Sequence, residues 1–184
     1  MHSDKVSGYS PRFLWALAKA SDGLPPDVEG TYYRHPLKKA LESGVCDESF
    51  LANDIELPKE VYKDIKFITP EARANAYERH IKSYAAVDNL SFEGIKNAIY
   101  NHGPILFAIN LGEEFWTAVD GNTSWQEQDI LPLRPPKKVV SGHALVAYGY
   151  DKDYIYFVNS FSDKWGRKGI GYLGQDYMPF VTEA

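Results

Sequence analysis

The hydrophobic periodicity changes at His102-Gly103-Pro104, and that change limits the fold more than any other feature of the chain. Before it, apolar residues recur at helical spacing. Ser10 can accept an orphan backbone N–H at a helix start, and Pro11 at the first helical position has no N–H to lose. Phe13, Leu14, Leu17 and Ala18 follow on one stripe. A second helix is expected over residues 35–43, stopped by Gly44. Further helices are expected from Pro70 to about residue 79, and from a Ser91 cap to about residue 101, where Ile95, Ala98 and Ile99 share a face. Residues 51–70 read as irregular and 81–87 as a strand.

After the break the pattern is different. Residues 105–109 read as a buried strand, 112–116 as one helical turn, and 117–140 as a long Pro-containing loop. Residues 144–150, 154–159 and 169–173 are short, rich in Val, Ile, Tyr and Phe, and separated by Gly and Asp, as in an antiparallel sheet. Helices followed by strands indicate an α+β fold rather than alternating βαβ units. The expected division is a helical part over 1–101 and an antiparallel β part over 102–184.

Several function classes lose ground on composition. The net charge is −5 and the Lys and Arg residues are scattered, whereas phosphate binding needs a basic face, so no nucleic-acid partner is expected. No run of about 18 apolar residues exists, so no membrane span is expected. The single cysteine, Cys46, rules out an internal disulfide and fits a reducing compartment. With no apolar leader at the N-terminus, a cytoplasmic location is favoured. No metal-ligand spacing and no phosphate-binding glycine loop occurs, so neither metal nor other cofactor is expected. Glu113-Glu114 reads as two solvated carboxylates rather than a glycosidase pair.

Two residues stand apart from this background. His143 begins a strand in Ser141-Gly-His-Ala-Leu-Val-Ala-Tyr-Gly-Tyr-Asp151, and Asn159 ends the next in Phe157-Val-Asn-Ser-Phe-Ser-Asp-Lys-Trp-Gly166. In an antiparallel pair the start of one strand faces the end of the next, so the two can meet. A carboxamide oxygen can fix an imidazole's orientation and tautomer, leaving the other ring nitrogen to exchange a proton with a nucleophile.

The flanking text is similar to that of the papain-like cysteine peptidases. Gly142-His143-Ala144 with Gly149-Tyr150-Asp151 resembles their histidine motif. Asn159-Ser160-Phe161, Trp165-Gly166 and Gly169-Ile-Gly-Tyr172-Leu resemble their asparagine motif. Upstream, Tyr9 to Leu14, Gly30 to Glu48 and Gly103-Pro104-Ile-Leu resemble further segments in the right order. The resemblance implies a two-lobe fold, helical lobe then antiparallel β lobe forming one unit, with His143 and Asn159 catalytic. It also implies that the loop Glu29-Gly30-Thr31 meets a peptide backbone, and that Thr31, Tyr32 and Ala144 border the main specificity pocket. Phe161 stands where the family usually has Trp, and Ser162 where it usually has Gly.

The nucleophile departs most. Family spacing puts the cysteine roughly 130–150 residues before the histidine. That region of the chain has no cysteine, nor the family's oxyanion glutamine, and Cys46 stands only about 100 positions before His143. Relative to the family the chain reads as N-terminally incomplete. Hydrolysis of a peptide or protein substrate is then expected only if a nucleophile is supplied. The alternative is an inactive pseudopeptidase that binds peptides or proteins. A second chain or a homo-oligomer is expected to cover the apolar surface that a missing helix would leave.

Overall fold

A computed structural model describes residues 8–25, 27–28, 30–113, 115, 132–161 and 163–184. The chain forms two compact units, Met1–Tyr84 and Ala85–Ala184.

The first unit holds α1 (Pro11–Lys19), α2 (Arg34–Glu42), α3 (Lys59–Tyr62) and α4 (Pro70–Tyr77). Its caps follow the sequence. Ser10 Oγ accepts from Phe13 N at 3.2 Å and donates to Leu51 O at 2.6 Å, so one buried hydroxyl starts α1 and ties down a loop. Gly44, at φ 74°, follows the end of α2. The core gathers Phe13, Ala16 and Leu17 of α1 with Cys46, Leu51 and Ile68, and with Ala72 and Ala76 of α4. Each large apolar side chain taken out of water there contributes about 1.5–3 kcal/mol. Residues 51–70 are less irregular than expected, since they contain α3 and a 3-10 turn at Ile65–Phe67.

The second unit holds α5 (Phe92–His102), β1 (Ile105–Leu111), β2 (Ser141–Tyr150), β3 (Tyr154–Val158), β4 (Ile170–Gly174) and β5 (Val181–Glu183). The strands form one antiparallel sheet in the order β4-β3-β2-β1-β5. Cross-strand partners set the core face: Phe107 opposes Leu145, Ala147 opposes Phe157, and Ile155 opposes Leu173. All six are buried, and Ile95 and Ile99 of α5 pack in the same cluster.

Two expectations change. The division falls at 84/85 rather than 101/102. The buried stripe of α5 packs on the sheet, so the helix belongs with the strands. Residues 81–87 form no strand. Ile81 N–H goes to Ala40 O and Val87 N–H to Ala184 O, so their backbone is satisfied bond by bond rather than by a ladder. The expected turn after β1 is carried by Phe115 N to Gly112 O at 3.2 Å, while Glu114 and Trp116 lie outside the described residues. The loop expected over 117–140 lies outside them as far as residue 131. Among the described residues no helix is long and apolar enough to cross a membrane.

Candidate active site

β2 places the histidine. His143 lies opposite Ile109 of β1, between two small neighbours, and shares the core-side face with Leu145 and Ala147 because side chains alternate along a strand. Asn159 directly follows β3, two residues beyond the buried Phe157, and therefore emerges on that same face. The register pairs Ala147 with Phe157 and Val146 with Val158, which carries the start of β2 alongside the end of β3. The outcome is a hydrogen bond of 2.9 Å between His143 Nε2 and Asn159 Oδ1. An amide oxygen only accepts, so Nε2 carries the proton, and a neutral ring then holds its lone pair on Nδ1.

The segment after Asn159 anchors the pair. Asn159 N donates to Gly169 O at 2.9 Å, closing a loop in which Gly166 (φ 52°), Lys168 (φ 55°) and Gly169 (φ 83°) take left-handed conformations. That tight return drives Trp165 into the core with no exposure, 5.9 Å from the ring of Phe157. Gly171 makes room for it. A Cβ there would lie 2.8 Å from Trp165 Cη2 and would run into the Phe157 ring.

An aromatic wall covers the bond. The Phe161 ring centroid lies 4.9 Å from that of His143, and Phe115 lies 6.0 Å from His143, 6.2 Å from Phe161 and 6.3 Å from Trp165. Phe161, which stands where the family usually has Trp, thus still lays an aromatic ring beside the bond. Phe115 was not anticipated, and nothing in its sequence context signals the role. Burial, the larger influence, lowers the His143 pKa below its ordinary 6.5, while the Asn159 bond works in the opposite direction.

A sequence profile of this geometry's best-known bearers decides the family: the profile of the papain family cysteine proteases matches residues 30–178. The chain belongs to the papain family. Its fold is papain-like α+β, helices followed by an antiparallel sheet. Among solved structures it is similar to xylellain, a cysteine protease from Xylella fastidiosa, at 19% identity and a TM-score of 0.76, covering 95% of this chain and 68% of xylellain. It is also similar to the digestive procathepsin L 3 of the Tenebrio molitor larval midgut, at 15% identity and TM-score 0.64, covering 96% of this chain and 53% of that one. The bromelain protease from Ananas comosus, solved with the E64 inhibitor, matches at 15% identity and TM-score 0.58, over 91% of this chain and 71% of bromelain. The chain thus spans between 53% and 71% of the length of these papain-family structures. No curated protein sequence matches it.

Within this papain-family chain the remaining candidates fall in both units. In the first, Gly30 is exposed, its carbonyl accepts from Lys19 Nζ at 3.3 Å, and no atom lies within 4 Å of where a Cβ would sit. Thr31 Oγ1 is buried, and Tyr32 is half-exposed with the Arg34 guanidinium 5.0 Å above its ring. Glu29 and Ser162 lie outside the described residues. In the second unit Ala144 is exposed, on the opposite face of β2 from His143. Cys46 is fully buried in the helical core, and burial pushes its thiol pKa up. Among the described residues no group of three or more His, Cys, Asp or Glu could hold a metal ion.

Proposed function

We propose that this chain supplies the acid–base half of a papain-type peptide hydrolysis, with the cysteine thiolate delivered from outside these 184 residues. The observation that carries the reading is the 2.9 Å bond between His143 and Asn159 under the Phe161 ring. A second fact supports a functional origin for that bond. Asn159 is only 5% exposed, yet its Nδ2 has no partner among the described residues. A buried orphan donor costs about 1–3 kcal/mol, which an apolar residue at the same place would avoid.

The chemistry follows from the tautomer. A sulfur anion adds to the peptide carbonyl carbon while His143, protonated at both nitrogens, stands beside it. The C–N bond breaks as Nδ1 gives its proton to the leaving amine, and an acyl thioester remains. Nδ1 then takes a proton from water, whose oxygen attacks the thioester carbonyl. The C–S bond breaks, the acid departs, and sulfur and imidazole return to their starting forms. Asn159 keeps the ring from rotating throughout. Positioned proton transfer of this kind contributes about 10²–10⁴-fold to rate. Gly30 and Thr31 are the backbone contacts proposed for the peptide, and Thr31, Tyr32 and Ala144 the pocket border.

One observation favours a second reading, a pseudopeptidase that binds peptides without cutting them. The only thiol in the sequence is buried in the helical core and held protonated. Both readings meet one experiment. The 184-residue protein is assayed on unfolded casein and on short peptide amides, alone and with an added polypeptide carrying a Gln and a Cys at a helix start. Hydrolysis that needs the added thiol and disappears in His143→Ala supports the peptidase. Hydrolysis indifferent to His143→Ala overturns it. Peptide binding without hydrolysis in either arm, unchanged in His143→Ala, supports the pseudopeptidase.

A further inference from the structure

Lys19 is the last residue of α1, and Asp22 stands three residues beyond it. Their charged atoms meet at 2.8 Å, with side-chain exposures of only 6% and 0%. An exposed pair at this spacing is worth little, and hiding both charges is unfavourable unless further bonds satisfy them. Those bonds lead to one place. Lys19 Nζ also donates to Gly30 O at 3.3 Å. Asp22 Oδ1 accepts from Leu24 N at 3.0 Å. Burial works to raise the Asp22 pKa, but hydrogen bonds from Lys19 and from Leu24 N–H work against it, and the carboxyl is held below its ordinary 3.8. The carboxylate therefore stays charged and keeps hold of Lys19.

Tyr32 is held separately, its carbonyl accepting from His35 N at 2.9 Å, but the stretch before it is open. Gly30 has no side chain and no atom within 4 Å of its Cβ position, and Tyr32 is half-exposed. A backbone edge in that condition would wander on the nanosecond scale unless something outside it fixed a carbonyl. We propose that the Lys19–Asp22 pair is a positioning device that holds the backbone at Gly30 and Thr31 in one conformation to receive an extended peptide. The inference rests on the reading of that edge as the peptide-contacting one. Lys19 and Asp22 are positioning residues, because they act through the Gly30 carbonyl rather than on the peptide. Preorganisation of this kind raises affinity by removing the ordering cost of binding.

The test uses the whole chain. Backbone ¹⁵N order parameters are measured for wild type, Lys19→Met and Lys19→Arg, beside the affinity of a fluorescein-labelled extended hexapeptide. The expected result is a fall at Gly30 and Thr31 from about 0.85 to below about 0.6 in Lys19→Met, with the amides of α1 unchanged. Affinity falls about tenfold and returns to within about threefold of wild type in Lys19→Arg, which keeps the charge and the donors. Unchanged order parameters overturn the positioning role whatever the peptide does. Loosened backbone with unchanged affinity also overturns the proposal, since the edge would then be held for no ligand. If wild type binds no peptide while Lys19→Met still loosens the edge, the peptide-contact reading falls and the clamp itself survives. Should Lys19→Met fail to fold, Asp22→Asn takes its place, because it removes the charge while keeping the side chain's size, and the same readings decide.

Discussion

The two units bury one chemically active group each, and they do so in opposite ways. In the sheet unit His143 is partly buried but bonded, with Asn159 on one ring nitrogen and Phe161 and Phe115 beside the ring. In the helical unit Cys46 is fully buried among Phe13, Leu17 and Ile68, an apolar cluster. Desolvation acts on both, and it drives their proton affinities apart: the thiol pKa rises and the imidazole pKa falls. Both groups are thereby kept uncharged. A papain-type couple needs the reverse, a thiolate beside an imidazolium. Burial alone therefore makes Cys46 an inert core residue and keeps His143 a neutral base.

The strongest way to break the comparison is to remove the packing that builds the His143 site. Trp165→Ala deletes the side chain that fills the space beside Gly171 and touches Phe157 and Phe115. Truncating so large a buried ring is expected to destabilise the sheet unit by about 3–5 kcal/mol. Denaturant titration followed by sheet-unit fluorescence reads it directly. Gly171→Ala approaches the same place from the other side, pushing a methyl into Phe157 and Trp165. Overpacking there is expected to cost about 1–3 kcal/mol. Values near zero for both would mean that the aromatic wall is not what holds Asn159 in line.

The next effect lies in the helical unit. Cys46→Ser puts a hydroxyl where the structure has a thiol amid apolar groups, and is expected to cost about 1–3 kcal/mol. The native thiol should react with a disulfide reagent only as fast as the unit opens, so its rate should follow denaturant rather than pH. Rapid labelling near neutral pH in native buffer would reverse the contrast between the two groups and reopen Cys46 as a nucleophile.

Much of this was legible in the sequence, and the limits have physical causes. The caps at Ser10 and Ser91 and the strand pair carrying His143 and Asn159 could be read because each is set by local chemistry: a hydroxyl at a helix start, two β-rich runs joined by a short turn. The unit to which α5 belongs could not, because its apolar stripe would serve equally well against helices or a sheet. β5 is three residues long, too short to show a period, and its pairing with β1 is a tertiary fact. Residues 81–87 have a strand's composition, but their donors find Ala40 and Ala184 instead of a neighbouring strand. Phe115 approaches His143 from the turn after β1, and Lys19 finds Gly30 across eleven positions. Neither contact leaves a mark in the local text.

The smallest expected effect is also the one that most sharpens the comparison, because it reads the His143 charge directly. The folded pKa is lowered from 6.5, so near neutral pH the folded ring is neutral. In the unfolded chain the same ring takes a proton as pH falls through about 6.5. The unfolded state then binds more protons than the folded one, and stability must decline with falling pH until the folded ring is protonated too. The contribution is complete above the unfolded value and gone below the lowered folded one. His143→Gln, which cannot titrate, should lose that slope and leave the rest of the profile in place. Supplying a thiolate changes the sign of the argument. An anion beside Nδ1 favours the imidazolium, so the His143 resonance, followed by NMR against pH, should titrate higher once a cysteine-bearing partner is bound. A His143 titration that the partner leaves untouched would mean that no thiolate reaches the ring, and that the sheet unit keeps its base for something other than cutting peptides.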